Sequence, residues 1–139
     1  MRRPILMLVS LALATIMLSG GVALARSIVG TENDDHLIGT KHADSIYALE
    51  GNDVVKGRQG NDTLYGGAGD DQVYGGRGND KIFGRSGVDK QYGGKGRDRI
   101  WSAGEQADVV DCGRGGRDWA EVDSLDQVVN CERVEVVTP

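Results

Sequence analysis

The sequence has few of the residues that usually carry catalysis or hold transition metals. Its 139 residues include two histidines and two cysteines. No HExxH or GxSxG pattern and no paired acid–base arrangement occurs, so we expect no enzyme. Two cysteines without a nearby histidine also make a zinc site an unfavoured interpretation. We interpret His36 and His42 as solvated turn residues and not as ligands.

Basic residues and prolines are scarce as well. There are 16 Lys and Arg against 21 Asp and Glu, and the net charge is −5. An acidic chain argues against binding nucleic acid through its phosphates and is compatible with binding cations. Proline occurs twice, whereas the 22 glycines are about twice the ordinary usage. Abundant glycine in a periodic layout, with almost no proline, indicates structural repeats and not a disordered linker.

One long apolar run is present, at the start of the chain. Residues 1–25 have a basic start, an apolar run from Ile5 to Leu18 and small residues up to Ala25. This pattern predicts a secretory signal peptide, and therefore a secreted product with no membrane span after cleavage and a net charge of −7. An N-terminal membrane anchor is the alternative, but the run is short for a span of about 20 residues. Gly21 stands where a lipoprotein would need its cysteine.

A nine-residue period extends from Gly30 to Trp101. The first position is Gly in seven of the eight registers, the fourth is Gly in six, and the eighth is aliphatic in seven, with Gln91 as the exception. The sixth position is Asp in all eight, at Asp35, Asp44, Asp53, Asp62, Asp71, Asp80, Asp89 and Asp98. Two or three glycines per nine residues disfavour a helix, at a cost of about 1 kcal/mol each.

The period predicts a solenoid built from short strands. Six glycine-rich residues would form a turn, and three would form a strand whose eighth-position side chain points inward. One aliphatic residue per strand makes a thin core, so two repeats must face each other in a coil of 18 residues. The coils would then stack as parallel strands about 4.8 Å apart.

Stacking of the coils would align the aspartates in two columns. Asp35, Asp53, Asp71 and Asp89 would form one column, and the other four would form the second. Carboxylates about 5 Å apart repel each other unless a cation lies between them. Two carboxylates and several turn carbonyls match the six to eight oxygen ligands of Ca²⁺, whereas Mg²⁺ requires a tighter octahedron.

The repeats resemble a known family. GGAGDDQVY at 66–74 and GGRGNDKIF at 75–83 are similar to the GGxGxDxUx nonapeptide of RTX, or haemolysin-type, calcium-binding proteins. The resemblance implies an all-β parallel β-roll, a two-sheet β-solenoid, that binds Ca²⁺ between repeats n and n+2 and folds only with calcium. Eight repeats then allow at most six internal sites. The implied ligands are the eight aspartates and the turn glycines Gly57, Gly66, Gly67, Gly69, Gly75, Gly76, Gly78 and Gly93.

Several residues depart from the family pattern. Thr replaces the second Gly in the first two repeats, at Thr31 and Thr40. Arginine stands at the second position in Arg58 and Arg85, and Gln91 interrupts the aliphatic row. We expect these departures to weaken single sites without breaking the roll.

The rest of the chain is predicted to close the roll. We assign 26–104 to the repeats and 105–139 to a β-rich C-terminal cap, because the nine-residue phase slips from Ser102 and solenoids need capped ends. In an exported protein, Cys112 and Cys131 favour a disulfide over two buried thiols. The alternative is that the cap is a receptor- or wall-binding module.

Aromatic residues occupy the ninth position and would face outward. Cross-strand packing is the favoured interpretation, and a platform for a sugar or a protein is the alternative. The aromatic residues in question are Tyr47, Tyr65, Tyr74, Phe83, Tyr92 and Trp101.

The function predicted first is a secreted calcium-binding protein whose folding requires Ca²⁺. The alternatives are a cell-surface adhesion or carbohydrate-binding module that binds an extracellular glycan, and a targeting module of an enzyme system.

Overall fold

The computed structural model describes residues 25–102 and 104–138, and the predicted signal peptide therefore lies almost wholly outside the described residues. Within these residues, thirteen strands form two parallel sheets. The seven-stranded sheet contains β1 Arg26–Val29, β3 Asp44–Glu50, β5 Thr63–Ala68, β7 Lys81–Ser86, β9 Arg99–Trp101, β11 Trp119–Val122 and β13 Arg133–Val136. The six-stranded sheet contains β2 His36–Ile38, β4 Val54–Gln59, β6 Gln72–Arg77, β8 Lys90–Gly96, β10 Val109–Gly115 and β12 Gln127–Val129.

Successive strands alternate between the two sheets, so the chain winds as a coil. Strand β5 pairs in parallel with β3 and β7, and Leu64 lies between Ile46 and Ile82 in register. From β1 to β9 the register places each paired residue beside the one 18 positions away, as the nine-residue period predicts. The structure confirms the all-β parallel β-roll.

Strands β3 to β8 are longer than the predicted three residues. Strand β5 covers six residues, Thr63–Ala68, and includes the first three positions of the following repeat. Its ladder with β7 skips Gly66 and resumes at Gly67, which pairs with Arg85. The glycines thus bend the strand without ending it, because the parallel neighbours bend at the same place and keep their hydrogen bonds.

The core is a narrow row of side chains between the sheets. The eighth-position residues Ile46, Val55, Leu64, Val73, Ile82 and Ile100 have no exposed surface, as predicted for an inward-facing position. Gln91 occupies the same row and is equally buried. The first position also points inward, which the sequence did not predict. From Gly39 onwards its glycines are buried, and Ala48 is fully so.

The segment predicted as a cap extends both sheets. Strand β10 pairs with β8 and β12, and β11 pairs with β9 and β13. One extra residue lies before Asp108 and another before Asp118, which produces the slip in phase, and the coil continues past both. The predicted disulfide between Cys112 and Cys131 is present. No helix in the described part of the chain has the length and apolarity needed to cross a bilayer.

Candidate metal sites

In repeats three to seven the chain turns between the sheets at a short corner that begins with a glycine and ends with an aspartate. Between β5 and β6 the corner is Gly69–Asp71, and Gly69 has a φ of 121°. Glycine adopts this conformation without strain. A Cβ on Gly69 would also collide with the carbonyl group of Gly51 in the preceding coil. The corner directs the carboxylate of Asp71 inward, where its exposed fraction is 1%.

The inward carboxylates are connected by hydrogen bonds along the roll. The N–H of Asp53 donates to Oδ1 of Asp71 at 2.8 Å, and the N–H of Asp71 donates to Oδ1 of Asp89 at 2.9 Å. The same bond recurs along the predicted columns Asp35–Asp53–Asp71–Asp89 and Asp44–Asp62–Asp80–Asp98. One oxygen of each carboxylate therefore fixes the spacing of the coils.

The second oxygen, Oδ2, is left without a partner in most of these aspartates. A buried polar atom without a hydrogen bond costs about 1–3 kcal/mol, and more when it is charged. Because the same atom is unpaired at the same position of successive repeats, a bound cation is the natural partner. Within the described residues, the buried, unpaired Oδ2 atoms belong to Asp53, Asp62, Asp71, Asp80, Asp89, Asp98 and Asp118.

The first-position glycines bring a carbonyl oxygen close to this carboxylate. Oδ2 of Asp71 and the carbonyl oxygen of Gly84 lie 2.5 and 2.9 Å from the point where a Cβ on Gly66 would stand. At Gly75 the corresponding atoms are Oδ2 of Asp80 and the carbonyl oxygen of Gly93, both at 2.5 Å. Glycine is needed here because a side chain would displace these oxygens. Gly57 and Gly93 have the same surroundings.

The other predicted glycines shape the backbone. Gly67 and Gly76 at the second position have φ values of 121° and 112°, and Gly69 and Gly78 at the fourth have 121° and 131°. A Cβ on Gly67 would strike the carbonyl group of Leu49 in the coil below. These glycines permit the bend and the close stacking of the coils, and their role as calcium ligands stays a prediction.

The available donors fit calcium in type. They are carboxylate and carbonyl oxygens, which are the ligands of hard cations such as Ca²⁺. In residues 25–102 and 104–138, no three His, Cys, Asp or Glu side chains converge on one point. A cation in the turns would therefore be held by single carboxylates, such as those of Asp71 and Asp80, together with backbone carbonyls.

Burial shifts the titration of the unpaired carboxylates. Removal from water raises the pKa of Asp80 and Asp89 to about 7. It raises the pKa of Asp62, Asp71 and Asp98 to about 6. The backbone N–H bond to each Oδ1 lowers the pKa by less, and neighbouring carboxylates of the same column raise it further. Ionised carboxylates are thus disfavoured in the roll without a cation.

The first two repeats satisfy their aspartates differently. Oδ2 of Asp35 accepts the N–H of Thr31 at 2.6 Å and its hydroxyl at 2.9 Å, and Oδ2 of Asp44 accepts the N–H of Thr40 at 2.5 Å. The threonines occupy the second position, where other repeats have a positive φ. Asp35 and Asp44 lie in the columns as predicted, but both are paired with protein donors.

A second ladder was not predicted. Oδ1 of Asn52 accepts the N–H of Asp70 at 2.8 Å, and Oδ1 of Asp70 accepts the N–H of Val88 at 2.8 Å. These are fifth-position residues, and Asn61 and Asn79 act likewise on the other edge. The signal was present in the sequence, because the fifth position is Asn or Asp in five of the eight repeats.

The aspartate columns also extend beyond the predicted repeats. Asp108 accepts the N–H of Asp89 at 2.8 Å, and Asp118 accepts that of Asp98 at 2.7 Å. The inserted residues hid both from the nine-residue register. A search that allowed a ten-residue spacing would have found them.

The ninth-position aromatics form a stack along the outside of one sheet. The stack contains Tyr47, Tyr65, Phe83 and Trp101. Neighbouring rings have centroids 4.4–4.8 Å apart and planes within 9° of parallel. Tyr74 and Tyr92 stack in the same way on the other sheet. The favoured interpretation, packing between neighbouring strands, agrees with this arrangement. His36 and His42 are exposed.

Comparison with known protein families identifies one family. No curated protein matches the chain significantly. The RTX calcium-binding nonapeptide repeat matches in four overlapping copies, at residues 29–64, 47–82, 56–91 and 65–100. Together the matches span more than half of the 139 residues. The chain belongs to the family of proteins with RTX calcium-binding nonapeptide repeats.

Proposed function

We propose that this protein is an exported calcium-binding β-roll whose folding is coupled to Ca²⁺ binding and which acts by binding and not by catalysis. The observation that carries the proposal is the series of seven buried, unpaired Oδ2 atoms. Each one needs a positive partner when it is ionised.

Coupling between calcium and folding follows from the position of these atoms. The unpaired carboxylates lie between stacked coils, so the sites exist only when the coils are stacked. Without a cation, columns such as Asp62–Asp80–Asp98 place like charges one strand spacing apart in a poorly solvated interior. The narrow core offers only about one aliphatic side chain per strand to oppose that repulsion.

Export is supported by the pattern of residues 1–25 and by the disulfide, since disulfides persist in oxidising compartments. Calcium-binding modules outside cells commonly have dissociation constants of about 10⁻⁴–10⁻³ M. We therefore expect the protein to be unfolded before export and to fold where calcium is abundant. The glycan-binding alternative is not proposed, because the rings from Tyr47 to Trp101 cover one another's faces.

Far-UV circular dichroism of the oxidised protein tests the proposal. With EGTA we expect a disordered spectrum, and with rising Ca²⁺ a change to β structure at millimolar concentration or below. Mg²⁺ at the same concentration should not produce this change. A β-rich spectrum that EGTA leaves unchanged would contradict the coupling, and the absence of any calcium binding by calorimetry would contradict the function itself.

A further inference from the structure

One aspartate of the columns is satisfied from inside the roll by a side chain. The hydroxyl of Ser102 donates to Oδ2 of Asp108 at 2.8 Å, and its Oγ accepts Nε2–H of Gln91 at 3.0 Å. All three side chains are buried, with exposed fractions of 1% or less. They form a short chain of hydrogen bonds that runs from an amide through a hydroxyl to a carboxylate.

Ser102 stands at a first position of the repeat, nine residues after Gly93. In the regular repeats this position is glycine, and Oδ2 of the aspartate lies where a side chain would begin. The side chain of Ser102 places a hydroxyl there. Asp108 is correspondingly absent from the set of unpaired carboxylates, although it follows Asp89 directly in its column.

The next members of this column are also paired with protein donors. Oδ1 of Asp126 accepts the N–H of Asp108 at 2.9 Å, and its Oδ2 accepts the N–H of Asp123 at 3.0 Å. Oδ1 of Asp123 accepts the N–H of Leu125 at 2.7 Å. The series of unpaired oxygens in this column therefore ends at Asp89.

We propose that the Ser102 hydroxyl takes the place of a cation beside Asp108 and so ends the series of calcium sites in this column, an inference that rests on the proposed function. Gln91 supports the substitution, because its amide donates to Oγ and leaves the hydroxyl proton free to point at Asp108. This accounts for the one interruption of the aliphatic row. The carboxylate of Asp108 is thereby satisfied without calcium, whereas Asp118 in the other column keeps an unpaired Oδ2.

Asparagine substitutions along the column test the inference. Asn keeps the Oδ1 acceptor and the size of Asp but removes the charge, and at position 108 its amide can donate to Ser102 Oγ. Isothermal titration calorimetry with CaCl₂ would count the ions bound by the oxidised protein. We expect Asp89→Asn to lose at least one ion and Asp108→Asn to lose none.

The outcomes are distinguishable. If the unmodified protein binds no calcium, the proposed function fails. If it binds calcium and Asp108→Asn loses an ion, the inference about Ser102 is overturned and the function stands. If Asp89→Asn keeps every ion, the series does not reach Asp89 and the inference is overturned as well.

A second substitution tests the role of the hydroxyl directly. Ser102→Gly restores the first-position residue of the regular repeats and leaves Oδ2 of Asp108 unpaired, so we expect one additional calcium ion per chain. An unchanged ion count in a folded Ser102→Gly protein would overturn the inference. Should this variant not fold, the comparison of Asp89→Asn with Asp108→Asn decides alone.

Discussion

The N–H of Asp71 donates a 2.9 Å hydrogen bond to Oδ1 of Asp89, 18 residues further along the chain. Oδ2 of the same Asp89 is buried and unpaired. One carboxylate thus has two separate roles: Oδ1 holds the preceding coil in register, and Oδ2 is available to a cation. Substitutions that keep one role and remove the other can separate them.

Asp71→Asn should weaken the calcium-bound roll because it removes the negative charge that binds the cation. The substitution keeps the Oδ1 acceptor, so the hydrogen bond from the N–H of Asp53 is retained. At calcium about 100-fold above the dissociation constant, one site contributes roughly 2.7 kcal/mol to the free energy of unfolding, and this contribution should be lost. With EGTA the variant should be no less stable than the unmodified protein, since a buried charge has gone. Thermal unfolding in calcium measures the loss, and circular dichroism in EGTA compares the residual β structure of the two proteins.

Asp70→Asn is the matched control for that substitution. Asp70 is the exposed fifth-position neighbour, and its Oδ1 accepts the N–H of Val88. The change in charge is identical in the two variants, and Asn keeps the Oδ1 acceptor in both. Equal losses of stability for Asp70→Asn and Asp71→Asn would mean that overall charge, and not a ligand, is responsible.

The stability of the roll should depend on pH in opposite directions with and without calcium. Burial raises the pKa of Asp80 and Asp89 to about 7, from 3.8. Because the pKa of each group is higher in the folded than in the unfolded state, their contribution to the free energy of unfolding without calcium is complete below about pH 4. This contribution is lost as the pH rises through about 7. Circular dichroism in EGTA should therefore show more β structure at pH 4–5 than at pH 8.

With calcium present, the stability of the roll should instead rise as the pH rises. Protons and Ca²⁺ compete for the same Oδ2 atoms, so calcium affinity should fall as the pH is lowered from about 8 to about 6. Calorimetric titrations across this range measure the change. Affinity that is independent of pH would contradict the assignment of Asp80 and Asp89 as ligands.

Arg58→Gly should stabilise the protein. Arg58 occupies the second position with a φ of 83°, where three of the eight repeats have glycine. A left-handed conformation costs a non-glycine residue about 1–2 kcal/mol, and the greater freedom of unfolded glycine offsets part of that gain. We expect a net gain of about 0.5–1 kcal/mol in the free energy of unfolding with calcium. Arg77→Gly, at an exposed third position in β6, is the control and should destabilise the roll.

Reduction of the disulfide should lower stability without changing the number of calcium ions. The bridge closes a loop between Cys112 and Cys131, 19 residues apart in sequence. A loop of that size contributes roughly 3 kcal/mol in the chain-entropy model. Urea unfolding in calcium, with and without dithiothreitol, measures the difference. A reduced protein that bound fewer ions would show that the bridge shapes a site, contrary to this prediction.

Most of the fold could be predicted from the sequence because the repeat is short and regular. Asp at the sixth position of every repeat and an aliphatic residue at the eighth position of nearly every repeat determine the 18-residue coil, the two columns and the inward face. The length of the strands could not be predicted. Whether Gly66 and Gly67 end a strand or only bend it depends on the hydrogen bonds of neighbouring coils, which no local pattern contains.

The sequence by itself determined the period, the family and the identity of the aspartates, since those follow from residue types at fixed spacing. Only the tertiary structure decided which carboxylates need a cation. Asp35, Asp71 and Asp108 are chemically identical, yet Thr31 pairs with the first, Ser102 pairs with the third, and Oδ2 of Asp71 is unpaired. The difference lies in which donors the stacked backbone brings within hydrogen-bonding distance of each Oδ2 atom.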